Sequence, residues 1–407
     1  MNLFQFILSA PRFLAFGFLA SFFSSFGQTF FISLSGAEIR STFDLSHGDF
    51  GFIYSVGTLS SAALLVWAGR KIDEYDLRIY TCVVCMGFAL ACFGMSIVAS
   101  AAWLYLIIFG LRFTGQGLLT HISATSMARY FGANRGKALS IAAMGHPAGE
   151  ALYPTLVVIL IATFGWRQMW EGVAIMLAIA LVPIMLWLLK GHGERQRKLE
   201  ETIRNKNQED AHKDWSRRHV LRDPRFYIIL PSFLATSFVG TGIVFHQIFL
   251  VSEKGWTMPL FAAAFVAYAV GQVIASLFAG IMVDKFGAVR LVKYYLIPMV
   301  FSLVLFAAFD GGWVAFVFMA LIGAAAGGAG VVNSAIWAEL YGVTYLGAIK
   351  ALGAALMVLG SALSPPIMGW AIDAGTSMEA IGLACALYCV FASGLVAYCL
   401  PQRLKGF

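Results

Sequence analysis

The stretch Gly280-Ile281-Met282-Val283-Asp284-Lys285-Phe286-Gly287-Ala288-Val289-Arg290 lies between two long apolar runs. A degenerate copy lies 211 residues earlier, Gly69-Arg70-Lys71-Ile72-Asp73-Glu74-Tyr75-Asp76-Leu77-Arg78. Each begins with a glycine at the end of an apolar run, places an acid four residues on and ends on a base. The same shift of 211 aligns Gly117 with Gly328, Gly136 with Gly347, Gly149 with Gly360 and Pro154 with Pro365. Coincident glycines are cheap in a chain with 41 of them. Six matched pairs at one offset, at equivalent places in two halves, are instead an internal repeat.

Outward from these loops the chain is apolar. Of its 407 residues 60% are hydrophobic and 12% charged, and the mean hydropathy is +0.80. A soluble domain carries about a quarter charged residues, so a soluble enzyme, a disordered chain and a fibrous repeat are all excluded. In a bilayer, a spanning helix needs about 20 apolar residues. Apolar segments fall near 12–36, 48–70, 79–100, 102–128, 136–163 and 168–189, and again near 226–251, 258–282, 288–309, 312–338, 347–371 and 377–399. The expected fold is therefore an all-α membrane protein of twelve transmembrane helices in two pseudo-symmetric six-helix bundles. Residues 1–189 form the first bundle, 190–225 a mixed-charge cytoplasmic linker containing Trp215, and 226–407 the second. The apolar stretch after Arg12 has no clear cleavage site and reads as a first spanning helix rather than a removed signal.

The net charge of +7 need not mean nucleic acid; its distribution decides. With the N-terminus inside, only Arg40, Arg167 and Lys254 fall in outside loops, whereas the acids Glu38, Asp44, Asp49, Glu171, Glu253, Asp310, Asp373 and Glu379 all do. That asymmetry places both termini in the cytoplasm. The six cysteines, Cys82, Cys85, Cys92, Cys385, Cys389 and Cys399, lie in apolar stretches and read as helix packing.

The pattern Gly280-x-x-x-Asp284-Lys285-x-Gly287-x-x-Arg290 resembles the signature loop of the major facilitator superfamily. In the first-half copy Glu74 replaces the usual base and Asp76 the usual glycine. Arg112-x-x-Gly115-x-Gly117 in helix four is similar to the family's Arg- and Gly-containing pattern. The resemblance spans the chain and implies secondary transport by rocking of two bundles about a midplane site. It assigns gating to Gly69, Asp73, Arg78, Gly280, Asp284, Lys285, Gly287 and Arg290. The glycines would let helices approach closely, and the charged residues would pair across the cytoplasmic face when the inner gate is shut. The run Trp337-Ala338-Glu339-Leu340-Tyr341-Gly342, with Gly347 and Lys350, resembles bacterial monocarboxylate and oxalate/formate carriers. Those carriers place a base in helix eight, where this sequence has none before the cytoplasmic end.

Charge at membrane depth is costly and marks function by default. Arg112 and Glu150 are the two such residues that stand out, and the shift of 211 maps them to Gly323 and Ser361, so neither is repeated. Arg112, Gln116 and Ser123 share a face of helix four; His146, Glu150 and Tyr153 share one of helix five. Arg112 suits bidentate hold of an anionic group. A buried carboxyl beside an imidazole suits proton exchange, so Glu150 and His146 are the expected coupling pair. The competing structural reading is a permanent Arg112–Glu150 ion pair between helices four and five. Further candidates for substrate contact are Gln28, Gln116, Tyr153, His246, Asn333 and Trp337, each weighed against hydrogen bonding between helices. The run Gly323-Ala324-Ala325-Ala326-Gly327-Gly328-Ala329-Gly330 has no preceding strand and no Gly-Lys-Ser/Thr, so it is a packing surface rather than a phosphate loop.

The expected function is a proton-coupled carrier of a small organic anion in a bacterial inner membrane, acting as a monomer. No cofactor, metal site, catalytic constellation or nucleic-acid partner is expected. Two alternatives remain open: an exporter of an amphiphilic metabolite, siderophore or drug on the same fold, and a transport-derived membrane sensor or enzyme.

Overall fold

The computed structural model describes residues 3–131, 134–197, 217–342 and 346–404. Most of the expected linker lies outside the described residues. The described chain is helical throughout, as a bilayer requires of a spanning backbone that must satisfy its own hydrogen bonds.

Ten helices are individually long and apolar enough to cross a membrane. Helices two to six are His47–Asp73, Leu77–Ile97, Ala101–Tyr130, Arg135–Phe164 and Trp166–Leu188. Helices seven, eight and ten to twelve are Pro224–Phe245, Met258–Phe286, Gly312–Tyr341, Leu346–Asp373 and Met378–Leu404. Helix one is a bent pair, Pro11–Gly27 and Thr29–Phe43, turned by 43°. Helix nine is a short apolar helix, Ile297–Ala308, preceded by one turn at Ala288–Leu291. Twelve helices result, in the positions the apolar segments predict. Helices one and nine differ from plain rods for local reasons: a Ser24-Ser25-Phe26-Gly27 run loosens the first, and Pro298 fixes the start of the last helical stretch of helix nine.

The chain separates into two compact units. One comprises Met1–Glu38 with Val56–Asp210, the other Ile39–Ser55 with Ala211–Phe407. The first turns of helix two thus belong with the second unit. Their N-terminus is capped twice. Ser46 and Asp49 bond each other's backbone N–H reciprocally, and the Asp373 carboxylate accepts from the N–H groups of His47 at 3.0 Å and Gly48 at 2.8 Å.

Within each unit, small residues set the crossings. A Cβ on Gly149 of helix five would strike Ser25 of helix one, and a Cβ on Gly360 of helix eleven would press on Leu234 and Ser237 of helix seven. These two glycines are partners under the 211 shift, and they make the equivalent crossing in each unit. The glycine-rich run of helix ten lies on helix eight: a Cβ at Gly323 would meet the carbonyl of Tyr268, and one at Gly327 that of Gln272. The backbones touch there because no side chain intervenes. Gly330 has open space around it, and so does Gly280, so the latter does not serve a close helix approach.

Gly327→Leu is therefore expected to destabilise the protein by about 1–3 kcal/mol through overpacking. Gly330→Ala should leave stability unchanged. Thermal unfolding of the purified protein in detergent, followed for both variants, checks this; equal melting temperatures would contradict the crossing.

Candidate functional site

The site begins with a break. Gln28 adopts an extended backbone, φ −84° and ψ 158°, between a 3-10 turn at Ser24–Gly27 and the helix Thr29–Ile32. Opposite the break, helix four is π-helical over Leu111–Leu119, a form that recurs at functional sites. A Cβ on Gly27 would collide with the Leu111 carbonyl and one on Gly115 with Phe88, so the two backbones are in contact. Arg112 sits in this crossing and is buried. Its Nε donates to Thr58 Oγ1 at 3.2 Å, and its Nη1 to the Gly27 carbonyl at 3.3 Å and to Thr29 Oγ1 at 3.5 Å. Arg112 thus ties helix two and both limbs of helix one to helix four. Ser123, lower on the same helix, donates to the Gly17 carbonyl at 2.7 Å and pairs with Ser21 at 2.8 Å. Arg112 and Ser123 are thus both turned toward helix one.

Glu150 takes a different partner. Its Oε1 lies 3.3 Å from His146 Nδ1, one turn earlier on helix five. Its Oε2 is buried with no hydrogen-bond partner among the described residues. The ion pair with Arg112 considered above does not form: the carboxylate pairs with the imidazole instead. Glu150 is nearly enclosed at 8% side-chain exposure, whereas His146 is 32% exposed. Two further buried oxygens nearby have no partner among the described residues, Ser25 Oγ and Tyr153 Oη. Tyr153 lies among aromatics, with ring centroids 4.8 Å from Phe22, 4.5 Å from Phe26 and 6.1 Å from Phe31. Phe31 in turn meets Trp170, whose indole N–H donates to Ser35 at 3.2 Å. The first unit therefore gathers Gln28, Arg112, Gln116, His146, Glu150 and Tyr153 around the break. Gln28 and Gln116 make no side-chain hydrogen bond among the described residues.

In the second unit the candidates are more structural. His246, between helix seven and its extension Gln247–Glu253, bonds the Pro365 carbonyl through Nε2 at 2.9 Å. Trp337 packs between Phe233 and Tyr341, with centroids 4.8 Å and 6.1 Å away, and over Gly353. Asn333 donates weakly to Met357 Sδ at 3.9 Å and keeps a buried Oδ1 without a partner among the described residues. Of the three, Asn333 has a polar atom to spare.

The signature loops are also asymmetric. In the first, Asp73 pairs with Arg129 at the end of helix four, N···O 2.8 Å, and the Gly69 carbonyl meets His121 Nε2 at 3.0 Å. Arg78 pairs with Asp76 at 2.8 Å, and Asp76 caps helix three through the Arg78 N–H. In the second, Gly287 turns the chain at φ 81°, and Glu339 from helix ten accepts from the Ala288 N–H at 2.6 Å. Asp284 and Arg290 form no ion pair among the described residues, and Lys285 lies over the Phe286 ring at 5.2 Å. The anchoring acid of this loop is Glu339.

The family model of the Major Facilitator Superfamily matches residues 17–264 and 236–406. The chain belongs to the major facilitator superfamily. No curated protein matches it in sequence. Solved structures share the fold at low identity. A bacterial homologue of the human lysosomal transporter Spinster, inward-facing and occupied, is 16% identical with TM-score 0.70, covering 97% of this chain and 96% of that one. A D-xylose-proton symporter is 16% identical with TM-score 0.70, covering 96% and 98%. The nucleoside transporter NupG is 16% identical with TM-score 0.66, covering 100% of both. A major facilitator protein is a transporter.

Several residues around the break were not singled out by the sequence. Thr29 and Thr58 hold Arg112 but look like any hydroxyl in an apolar run. Ser25 and Gly27 did carry a signal: a Ser/Gly cluster inside a spanning segment marks an interrupted helix. Glu339 was visible within a motif, but its role depends on the turn at Gly287. Lys254, counted only as an outside base, is buried and bonds Asp310 at 2.6 Å, Glu379 and the Phe309 carbonyl.

The Asp76 cap yields a pH prediction. The Arg78 side-chain hydrogen bonds, helped by its backbone N–H and opposed by partial burial, hold the Asp76 carboxyl down at about 2. A carboxyl depressed on folding stabilises above its unfolded value, near 4, and that contribution is lost as pH falls toward 2. Asp76→Ala should cost about 0.5–2 kcal/mol at neutral pH. The gap from wild type should narrow below pH 4 in parallel melting curves; a constant gap would contradict it.

Proposed function

We propose that this protein is a proton-coupled secondary transporter of a small organic anion, working by alternating access of two six-helix bundles, residues 1–189 and 226–407. The observation that carries the reading is the Glu150–His146 pair. A buried carboxylate with one unpartnered oxygen lies against an imidazole that is one-third exposed. That is the arrangement for taking a proton from the exposed side and holding it at membrane depth. One structural neighbour, a D-xylose-proton symporter, has the same fold, which is compatible with proton coupling.

Arg112 supports the anion. Its bonds to Gly27 and Thr29 are long, 3.3 and 3.5 Å, and go to neutral acceptors. An entering carboxylate offers shorter, charge-assisted bonds and would exchange for them. Helix one would then be released at Gln28, and its two limbs would move separately. Gln28, Gln116 and Tyr153 would supply polar contacts beside that point, and within the second bundle Asn333, His246 and Trp337 are the candidate contacts. Asp73–Arg129 and the Glu339-anchored loop act as gates at the basic ends, joined by Arg78, Asp284, Lys285 and Arg290. The distribution of bases supports a cytoplasmic location for both termini, and the compact loops fit a bacterial inner membrane. We read the working unit as a monomer.

A second reading is favoured by one feature. Helices seven, eleven and twelve line an apolar cavity of about 560 Å³ walled by Leu234, Phe238, Leu359, Leu363, Ile367 and Tyr388. A hydrocarbon chain suits it, which fits an exporter of an amphiphile.

Purified protein in liposomes loaded with a pH dye separates these readings. One mono- or dicarboxylate should acidify the lumen, and Glu150→Gln should abolish the signal while counterflow of the labelled acid persists. Arg112→Ala should raise the half-saturating concentration about 10- to 100-fold, the worth of a lost charged hydrogen bond. Acid-independent fluxes, with amphiphile counterflow intact in both variants, would establish the exporter instead.

A further inference from the structure

The break in helix nine leaves a groove at a membrane face. Helix eight ends at Phe286, one turn runs from Ala288 to Leu291, and helix nine resumes only at Ile297. The open turn between them does not fill the space beside helix twelve. A cavity of about 630 Å³ results, within the size range of small-ligand sites. Met282 and Phe286 of helix eight and Leu400 of helix twelve give it an apolar wall, and Arg290, Lys293 and Tyr294 line its rim.

The charges here are not spent. Arg290 is exposed and forms no ion pair or hydrogen bond among the described residues. Lys293 is half-buried with its ammonium 4.8 Å above the Tyr294 ring, a cation–π contact that leaves its donors free for an anion. The acids on the adjoining elements do not neutralise them. Glu339 is engaged by the Ala288 and Val289 N–H groups, and Asp284, at the end of helix eight, pairs with nothing among the described residues. Two cations over an apolar seam between spanning helices match a ligand with a phosphate head and a hydrocarbon tail.

We infer that this groove is a binding site for an anionic phospholipid. The phosphate sits between Arg290 and Lys293, Tyr294 lies at the headgroup level, and one acyl chain follows the seam between helices eight and twelve. Each base near such a surface contributes about a fivefold factor in affinity. The site requires only that the chain span a bilayer, although it shares Arg290 with the proposed gate.

The test is native mass spectrometry of the purified full-length protein titrated with phosphatidylglycerol and, separately, with phosphatidylcholine of the same chains. Wild type should bind phosphatidylglycerol at least tenfold more tightly. Arg290→Gln and Lys293→Gln should each weaken it about fivefold and the pair about thirtyfold, with phosphatidylcholine unaffected. Inorganic phosphate should not displace the lipid. Equal affinity for the two lipids, unchanged affinity in the double variant, or displacement by inorganic phosphate would overturn the proposal, the last by making the groove a free-anion site. The lipid preference of wild type decides the matter even if the double variant fails to fold.

Discussion

A bilayer offers no hydrogen-bond partners, so a helix that breaks inside it must find them within the protein. That constraint organises the first unit. Helix one breaks at Gln28, and the group that meets the break is the Arg112 guanidinium, reaching the Gly27 carbonyl, Thr29 and Thr58. The π-helical stretch of helix four puts the arginine there, and glycines at 27 and 115 let the backbones close. Replacing either glycine would part the helices and strand the arginine.

With Arg112 committed to the break, Glu150 is left to His146. The result is a deficit rather than a network: Glu150 Oε2, Ser25 Oγ and Tyr153 Oη are buried with no partner among the described residues. Unpaired buried polar atoms cost about 1–3 kcal/mol each, and proteins keep them where something else is to be bound. The second unit is more fully satisfied. His246 is bonded to Pro365, Trp337 is packed among aromatics and Lys254 is surrounded by Asp310, Glu379 and a carbonyl. This asymmetry follows the sequence, in which Arg112 and Glu150 have no counterparts at Gly323 and Ser361.

Much of the fold was legible because membrane helices are written in long apolar runs and because Gly149 and Gly360 mark equivalent crossings. The breaks were less so. The segment near 12–36 reads as one apolar span, and only the Ser24–Gly27 cluster hints at the interruption. Helix nine loses its first turns to Val292–Leu296 despite an apolar composition, since Pro298 acts only from the far side. At the site, spacing found Arg112, Glu150, His146 and Tyr153, whose periodicity survives folding. It did not choose between Arg112 and His146 as the partner of Glu150, because that depends on which helix breaks. Nor could spacing replace Asp284 by Glu339 as the anchor of the second loop, a contact made 51 residues away in sequence.

The account's central claim is that Glu150 carries the proton that moves with the substrate. Infrared difference spectroscopy on the protein in liposomes, recorded with and without a transported acid, observes that carboxyl directly. The account predicts a protonated-carboxyl stretching band that changes on substrate addition, shifts in D₂O and is missing in Glu150→Gln. A substrate-induced spectrum with no carboxyl band, or one that persists unchanged in Glu150→Gln, would contradict it.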